Sequence, residues 1–255
     1  MFFEKLRNVA EFKLLRRARE KEQSHFRDYC LNLPKVVSEP FFVKVGACDG
    51  ITDDPCSDIL LANARWRGLL IEPVPDCFRR LRANFEDSRR FCFEQIAIGA
   101  KVGEGTFYYV DAKAIQSIPN LPTWFDQLGS FDRNHIMKHL NGVLDPFIIE
   151  CNVQVRPLSD VLMRNRIQDV HLLHVDAEGY DYEVLKTLDF AKHAPLSIFV
   201  EHKHLSDAQK SEMLHLLCKN GYSVRDCGED YFAVNEEAND RLQKTARMRL
   251  DRAQR

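Results

Sequence analysis

Long apolar runs are missing from this 255-residue chain. The longest, such as GLLI at residues 68–71, fall far short of the ~18 residues that a membrane-spanning helix needs. The first residues, MFFEK, also lack the apolar region and the small-residue cleavage site of a signal peptide. We therefore expect no transmembrane segment and a cytoplasmic location.

A surplus of charge of either sign is missing as well. Lys and Arg number 36 and Asp and Glu number 38, which gives a formal net charge of −2. A near-neutral chain has no global field to hold a phosphate backbone, so we expect no nucleic-acid partner. With 11 Gly and 10 Pro the chain is too poor in both for a fibrous or low-complexity protein, and its 45% hydrophobic content is that of a globular domain.

Paired metal-ligand motifs are the third absence. None of the 8 Cys residues forms a C-x-x-C pair, and several lie inside apolar segments, such as Cys92 in RFCF. We interpret them as small buried hydrophobes in a reducing cytosol, not as a disulfide framework. Carboxylates and an imidazole that could hold a metal follow two predicted strands (Asp176, Glu178, Glu201 and His202), but no H-x-E or H-E-x-x-H spacing supports them, and we expect no metal.

From residue 41 onward, short apolar segments alternate with amphipathic ones. The pattern predicts strands near residues 41–45, 68–71, 91–98, 106–110, 170–175 and 197–200, with helices near 57–65, 76–84, 160–166, 182–188 and 206–220. Strands that alternate with helices form right-handed βαβ units, so we expect an α/β fold with a mostly parallel sheet. The segments 222–225 and 231–234 predict an antiparallel hairpin at one edge.

The chain divides into three parts by composition. Residues 1–35 form a helical arm, with a helix near 3–29 and eight basic against five acidic residues from 1 to 30. Residues 36–235 form the main domain, in which 111–150 interrupt the alternation with prolines, glycines and aromatics. Such long connections usually bind ligands or act as lids, so we interpret 111–150 as an acceptor-binding or lid insertion. Residues 236–255 are a charged tail with a frayed helix.

Two features after the first two strands point to a nucleoside ligand. Gly46 and Gly50 follow the first strand in VGACDG, where the backbone can approach a ligand closely, and neither G-x-G-x-x-G nor G-K-[ST] is present. Glu72 ends the second strand, where an acid accepts hydrogen bonds from a ribose diol. A plain tight turn would also explain the two glycines, and a helix N-cap would also explain Glu72. A ribose acid without a pyrophosphate loop fits S-adenosylmethionine, whose ammonium group Asp49, Asp53 or Asp54 could meet.

Two further strands end in ionisable side chains. Asp176 and Glu178 follow LLHV, and one of them could take a proton from a substrate hydroxyl as a general base. A helix N-cap cluster is the alternative. Glu201 and His202 follow the next strand, together with His204, and His202 is a reserve candidate for the base.

These motifs together resemble those of the FkbM-type methyltransferases. The resemblance extends over residues 41–234 and is carried by the segments FVKVGACDG (42–50), WRGLLIEPVP (66–75), LRANF (81–85), QIAIG (95–99), LGSF (128–131) and HVDAEGYD (174–181). It implies a Rossmann-like class I methyltransferase fold: a mostly parallel, seven-stranded sheet with helices on both faces. It also implies an S-adenosylmethionine-dependent O-methyltransferase acting on a hydroxyl of a sugar, glycan or natural product.

The resemblance assigns roles to particular residues. The cofactor would contact Gly46, Ala47, Cys48, Asp49, Gly50, Asp54, Glu72, Pro73, Ala97, Ile98 and Asp176. The reacting centre would face Asp176 and Glu178, with His202 in reserve. A small-molecule acceptor would contact Trp124, Ser130, Phe131 and Glu201.

Two other functions remain open on the sequence. Lys44 stands in the first strand where many family members carry an acid, which leaves room for a non-catalytic, methyltransferase-like module that binds a partner through its basic N-terminal helix. A nucleotide-cofactor oxidoreductase on a similar sheet is the other alternative, against which the missing G-x-G-x-x-G argues. The sequence does not give the oligomeric state.

Overall fold

The computed structural model describes residues 22–87 and 89–253. Its helices are α1 Ser24–Val36, α2 Ser57–Ala62, α3 Pro75–Asn84, α4 Ala114–Ser117, α5 Arg133–Lys138, α6 Leu158–Arg164, α7 Asp181–Lys186, α8 Asp207–Lys219 and α9 Glu236–Ala253. Its strands are β1 Phe41–Val45, β2 Arg67–Ile71, β3 Phe91–Glu94, β4 Ala97–Ile98, β5 Gly103–Val110, β6 Gly129–Ser130, β7 Ile148–Arg156, β8 Leu172–Val175, β9 Ser197–Glu201, β10 Tyr222–Asp226 and β11 Asp230–Asn235. None of the helices in these ranges is long and apolar enough to cross a membrane.

The main sheet has seven strands in the order β10-β11-β9-β8-β1-β2-β3. The strands β9, β8, β1, β2 and β3 run parallel, and β10 and β11 add the expected antiparallel hairpin. The central strands are buried along nearly their whole length, because helices cover both faces. This confirms the predicted Rossmann-like α/β fold. The order reverses between β1 and β8, which is where open parallel sheets bind ligands.

Helix α1 is packed into the domain. The ring of Phe26 stacks on that of Phe199 from β9 with centroids 3.9 Å apart, and Phe26, Cys30 and Leu33 are buried in the core layer on that face of the sheet. The sequence placed residues 24–35 in an arm; in the structure the apolar face of this helix covers the central strands and belongs to the core, while its other face stays exposed. The rest of the predicted helix, residues 3–21, lies outside the described residues.

A second sheet of four strands, in the order β4-β7-β5-β6, stands beside the first. The expected single strand over residues 91–98 was wrong, because the chain leaves the main sheet after Glu94 and Ala97–Ile98 pairs with β7 instead. The sequence also missed β7, which pairs with β5 along eight residues. Its start falls inside the segment that we expected to be a connection.

Most of the 111–150 insertion folds over its own small core. Ala114, Phe125, Leu128, Ile136 and Leu144 are buried together with Val110 at the end of β5. A turn at His139–Gly142, in which Leu140 and Asn141 have left-handed φ angles of 49° and 55°, and the 3-10 turn Asp145–Phe147 close the segment. The insertion is therefore a packed unit held against the carboxyl edge of the main sheet.

Candidate active site

A cavity opens at the carboxyl ends of β1, β2 and β8, at the point where the strand order reverses. Its walls come from the turn after β1, the end of β2, the β4 strand, the loops after β8 and β9, and the insertion. These segments are far apart in the chain and meet only because parallel strands end at one edge of the sheet.

The floor of the cavity beside β1 is built on Gly46. This residue has a φ of 73°, and a Cβ atom placed on it would lie 1.7 Å from the carbonyl oxygen of Asp176. No side chain fits there, because the β1 turn passes directly against the loop that follows β8. Ala47 and Cys48 continue the turn along the cavity wall.

Glu72 closes the same wall from the end of β2. One carboxylate oxygen accepts a hydrogen bond from the backbone N–H of Cys48 at 2.8 Å, and the other accepts from that of Val74 at 2.7 Å. The residue is 5% exposed, and burial raises the pKa of its carboxyl group to about 7. The carboxyl group borders the cavity, where it can accept hydrogen bonds from a ligand diol.

Asp49 and Gly50 lie outside the cavity lining. The Asp49 carboxylate accepts from the backbone N–H groups of Ile51 and Thr52 and from the Thr52 hydroxyl, so it fixes the turn. Burial opposes its ionisation, but these hydrogen bonds and the nearby Arg80 keep its pKa below the usual value. Gly50 has a φ of 78° and packs tightly against Phe85 of the α3 region. Both residues support the turn after β1 from behind the cavity wall.

The unusual position of Lys44 in the buried strand β1 is explained by an ion pair. Its ammonium group forms a buried ion pair with Asp54, which follows the turn, and both side chains are almost inaccessible. Asp54 also accepts hydrogen bonds from the backbone N–H groups of Cys56 and Ser57 at the start of α2. In the sheet, Lys44 is paired with His174 of β8. Lys44 and Asp54 line the cavity as a neutralised pair.

The loop after β8 presents two acids to the cavity. Asp176 follows the strand directly and donates its backbone N–H to the carbonyl of Val45 at 3.0 Å. Glu178 has a φ of 49°, a left-handed conformation that costs free energy for a non-glycine residue and is characteristic of functional loops. The carboxylate of Asp181 holds the loop by accepting from the N–H groups of Ala177 and Gly179.

Glu201 and His202, at the end of β9, differ in placement. Glu201 lines the cavity; burial, followed by repulsion from Asp176, raises the pKa of its carboxyl group to about 11, so it holds a proton at neutral pH. His202 lies outside the cavity lining, because its ring stacks on Tyr231 of β11 with centroids 3.9 Å apart. His202, the reserve candidate for the base, therefore does not border the cavity.

Three other histidines gather around Glu178. Nε2 of His135 lies 3.2 Å from a carboxylate oxygen of Glu178 and 3.4 Å from Nε2 of His139, and Nε2 of His204 lies 3.6 Å from the same carboxylate oxygen. Burial lowers the pKa of His204 to about 4 and also lowers that of His139, so both are neutral at physiological pH. We call these four residues the histidine cluster.

The insertion supplies an aromatic and polar wall. Trp124, Ser130 and Phe131 all border the cavity, as the resemblance implied. The Phe131 ring meets those of Phe107 and Tyr180 with centroids 5.1 and 5.0 Å apart, so its position is fixed by packing on two sides. The Trp124 ring lies edge-on to that of His139, 6.0 Å away.

The structure thus brings together most of the residues proposed from the sequence. Those that border the cavity are Gly46, Ala47, Cys48, Asp54, Glu72, Pro73, Ala97, Ile98, Trp124, Ser130, Phe131, Asp176, Glu178 and Glu201. The sequence did not single out Gln127, Tyr180, Lys203 or Glu229, which also line it. It gave no role to His139, and it named His204 beside Glu201 and His202 without giving it a role. The H-x-x-x-H spacing of His135 and His139 was the available signal, since it places two imidazoles on one side of a helical turn.

Comparison with known proteins identifies one family. The model of the methyltransferase FkbM domain matches residues 44–224, and no curated protein sequence matches the chain. Among solved structures, a fibrillarin pre-rRNA processing protein from Methanococcus jannaschii is similar over 78% of this chain and 67% of its own, with 11% identity and a TM-score of 0.39. A precorrin-6y C5,15-methyltransferase from Geobacter metallireducens is similar over 82% and 86%, with 11% identity and a TM-score of 0.37. Aeropyrum pernix fibrillarin, solved with natively bound S-adenosylmethionine, is similar over 78% and 67%, with 13% identity and a TM-score of 0.35.

Proposed function

The chain belongs to the FkbM methyltransferase family, and from this premise we propose that it methylates a hydroxyl oxygen of a small molecule, a sugar, glycan or natural product. Membership makes it an S-adenosylmethionine-dependent methyltransferase with a class I, Rossmann-like fold, and it sets aside the oxidoreductase alternative. The proposal includes the class of acceptor, methylation at an oxygen atom and a cytoplasmic location. The free state of all eight cysteines supports a reducing compartment.

The residues present fit S-adenosylmethionine. Glu72 offers a buried carboxylate to a ribose diol, and Gly46 leaves a close approach along the turn for the amino-acid part. Ala97 and Ile98 supply an apolar wall for the adenine. When bound, the cofactor supplies an electrophilic methyl group on a sulfonium centre.

Asp176 is the general base in this proposal. In the transfer, a bond forms between the acceptor oxygen and the methyl carbon, the carbon–sulfur bond breaks, and the hydroxyl proton passes to a carboxylate of the protein. Glu201 holds its own proton, and Glu178 is engaged with two imidazoles. Asp176 directly follows β8 and lines the cavity, and this placement is the observation that carries the assignment.

The insertion would hold the acceptor. Trp124 and Phe131 present ring surfaces to the cavity, and aromatic faces of this kind stack on the apolar face of a sugar. Ser130, Gln127 and the protonated Glu201 add polar groups that can orient hydroxyls. Such a mixture of apolar surface with few polar groups is typical of small-molecule sites.

The first test is calorimetric titration with S-adenosylmethionine and S-adenosylhomocysteine. We expect saturable binding of both, lost in Glu72→Ala and kept in Glu104→Ala, whose side chain is exposed on β5. The second is incubation with methyl-labelled cofactor and a panel of sugars and hydroxylated natural products. Label recovered as a methyl ether supports the proposal; label found only in carboxyl, amine or thiol acceptors contradicts it.

A further inference from the structure

We propose that His135, His139, His204 and Glu178 bind a divalent transition-metal ion. One ring nitrogen of each imidazole and a carboxylate oxygen converge so that the four ligand atoms all lie within 4.8 Å of one another. Tetrahedral ligands at the usual zinc–nitrogen distance of 2.0–2.1 Å stand roughly 3.3 Å apart. The separations of 3.2, 3.4 and 3.6 Å around His135 and Glu178 already match that spacing.

Hydrogen bonding alone does not satisfy this arrangement. Nε2 of a neutral imidazole carries either one proton or one lone pair, never both. When Nε2 of His135 donates its proton to the Glu178 carboxylate, this nitrogen has no lone pair left to accept a hydrogen bond from Nε2 of His139. A cation at the common centre accepts lone pairs from all the imidazoles and pairs with the carboxylate.

The donor set selects the class of metal. Imidazole nitrogens suit zinc, iron, nickel, copper and cobalt, whereas magnesium and calcium take oxygen ligands. Metal ligation requires neutral imidazoles and an ionised carboxyl group, so this ligand set would carry a single negative charge and a divalent ion would leave a net charge of +1. The four ligands come from four different segments of the chain. His135 lies in helix α5, His139 in the turn after it, His204 in the loop after β9 and Glu178 in the loop after β8.

A second group of potential ligands in the described residues shows the contrast. Asp54, Cys56 and His174 also lie close enough together to surround an ion. There, however, the ammonium group of Lys44 pairs with Asp54 in the buried space, so a cation is already provided by the chain. Among the described residues, the Glu178 carboxylate pairs with the imidazoles of His135 and His204, and the nearby Lys203 pairs with Glu229 instead.

The place of the cluster indicates what the ion does. Glu178, His139 and His204 line the cavity that also contains Asp176 and Glu72, so a bound ion would face the acceptor. A metal lowers the pKa of a bound hydroxyl, which would ease loss of its proton to Asp176. The ion would also fasten the insertion to the ends of β8 and β9. The first of these roles rests on the proposed function; binding of the metal does not.

The test is metal titration of the full chain after removal of bound metal with a chelator. Zinc binding is measured by calorimetry, and cobalt(II) binding by visible absorption, in the wild type and in His139→Ala, His204→Ala and Glu178→Gln. His215→Ala, an exposed histidine on α8, is the matched control. Thermal unfolding and S-adenosylmethionine titration of each variant without metal separate loss of the site from loss of the fold.

We expect one equivalent of zinc per chain, with the affinity lowered at least ~100-fold in the three cluster variants and unchanged in the control. The cobalt spectrum should show nitrogen and oxygen ligands without thiolate charge-transfer bands. No saturable binding, or binding that survives both histidine substitutions in folded protein, would overturn the proposal. Methyl transfer is scored separately with the metal-free and zinc-loaded chains, so absent transfer with intact zinc binding counts against the proposed function alone.

Discussion

At the scale of single residues, the base assignment makes a direct prediction. Asp176→Asn keeps the shape of the side chain but removes the carboxylate that takes the proton. We expect kcat to fall by roughly 10²–10⁴-fold while the affinity for S-adenosylmethionine stays within about twofold, because loss of a general base acts on the chemical step. Steady-state kinetics and cofactor titration measure the two effects.

The control for this variant is Asp169→Asn. Asp169 is exposed and precedes β8, so it lies toward the opposite edge of the sheet from the cavity. Its substitution should leave both constants unchanged. If Asp176→Asn retains full activity and Glu178→Gln does not, the base is Glu178 and the assignment given above is wrong.

Glu72 makes cofactor binding dependent on pH. Burial raises the pKa of its carboxyl group to about 7, so the group takes up a proton as the pH falls through neutrality. The protonated form is a poorer acceptor for a ribose diol, and its ionised fraction falls about tenfold between pH 8 and pH 6. We expect the affinity for S-adenosylmethionine to fall by about that factor over this range.

Titration calorimetry at several pH values provides the measurement, and Glu72→Gln provides the reference. The amide does not titrate, so any remaining slope in that variant belongs to the cofactor or to other groups. Equal slopes in the wild type and in Glu72→Gln would show that Glu72 does not carry the dependence.

The residues of the cofactor side could be found from the sequence because their signals are local. Gly46 and Glu72 each directly follow a strand, and a strand end fixes the place of a residue on the sheet edge. In the histidine cluster, the local signal was limited to the H-x-x-x-H spacing of His135 and His139. His139 and His204 are far apart in the chain and meet only through the packing of the insertion, which the sequence pattern did not reveal.

At the scale of elements, the turn after β1 has the least room for change. Gly46→Ala would place a methyl group on the carbonyl oxygen of Asp176, in a left-handed conformation that alanine also resists. Since the clash is with backbone, the turn and the loop after β8 must separate. We expect cofactor affinity to fall by more than ~10-fold and the unfolding free energy to fall by more than ~1 kcal/mol.

Gly103→Ala is the matched substitution. Gly103 begins β5 and has no atom within 4 Å of an added Cβ, so it should change neither quantity. Calorimetric titration and urea unfolding test both variants together. Normal cofactor binding by folded Gly46→Ala would mean that the turn does not form the cofactor wall.

Helix α1 should behave as part of the core. Phe26 is fully buried and stacks on Phe199, so Phe26→Ala leaves a cavity beneath the central strands. Such truncations cost about 3–5 kcal/mol of unfolding free energy. Leu31→Ala, on the exposed side of the same helix, should cost less than about 0.5 kcal/mol. If Phe26→Ala and Leu31→Ala lower the unfolding free energy in urea by the same amount, α1 is an arm independent of the core.

The elements of the main sheet were predictable because their residues are uniformly apolar. Segments such as RGLLI in β2 are buried on both faces, which leaves a strong signal. The sequence signal of the second sheet is weaker, because β7 alternates polar and apolar residues. Its exposed positions are Glu150, Asn152 and Gln154, and the positions between them are Cys151, Val153 and Val155. That alternation was readable, but the prolines and glycines before it favoured a connection.

At the scale of the whole molecule, the cavity joins segments from nearly the full length of the main domain. The turn after β1, the end of β2 and the loops after β8 and β9 belong to the main sheet, and the insertion packs over them. A ligand that touches all of these parts binds the folded chain and not the unfolded one. Its binding must therefore stabilise the entire domain.

Cofactor binding should accordingly raise the unfolding temperature. At a concentration 100 times Kd, the ligand adds about 2.7 kcal/mol to the unfolding free energy. For a domain of this size each kcal/mol moves the midpoint by about 2–4 °C, so we expect a rise of about 5–11 °C with S-adenosylmethionine, measured by thermal unfolding. Glu72→Ala should lose most of this rise and Glu104→Ala should keep it, because only Glu72 borders the cavity. A rise of equal size in both variants would place the ligand elsewhere on the molecule, since stabilisation through this cavity depends on the carboxylate that closes it.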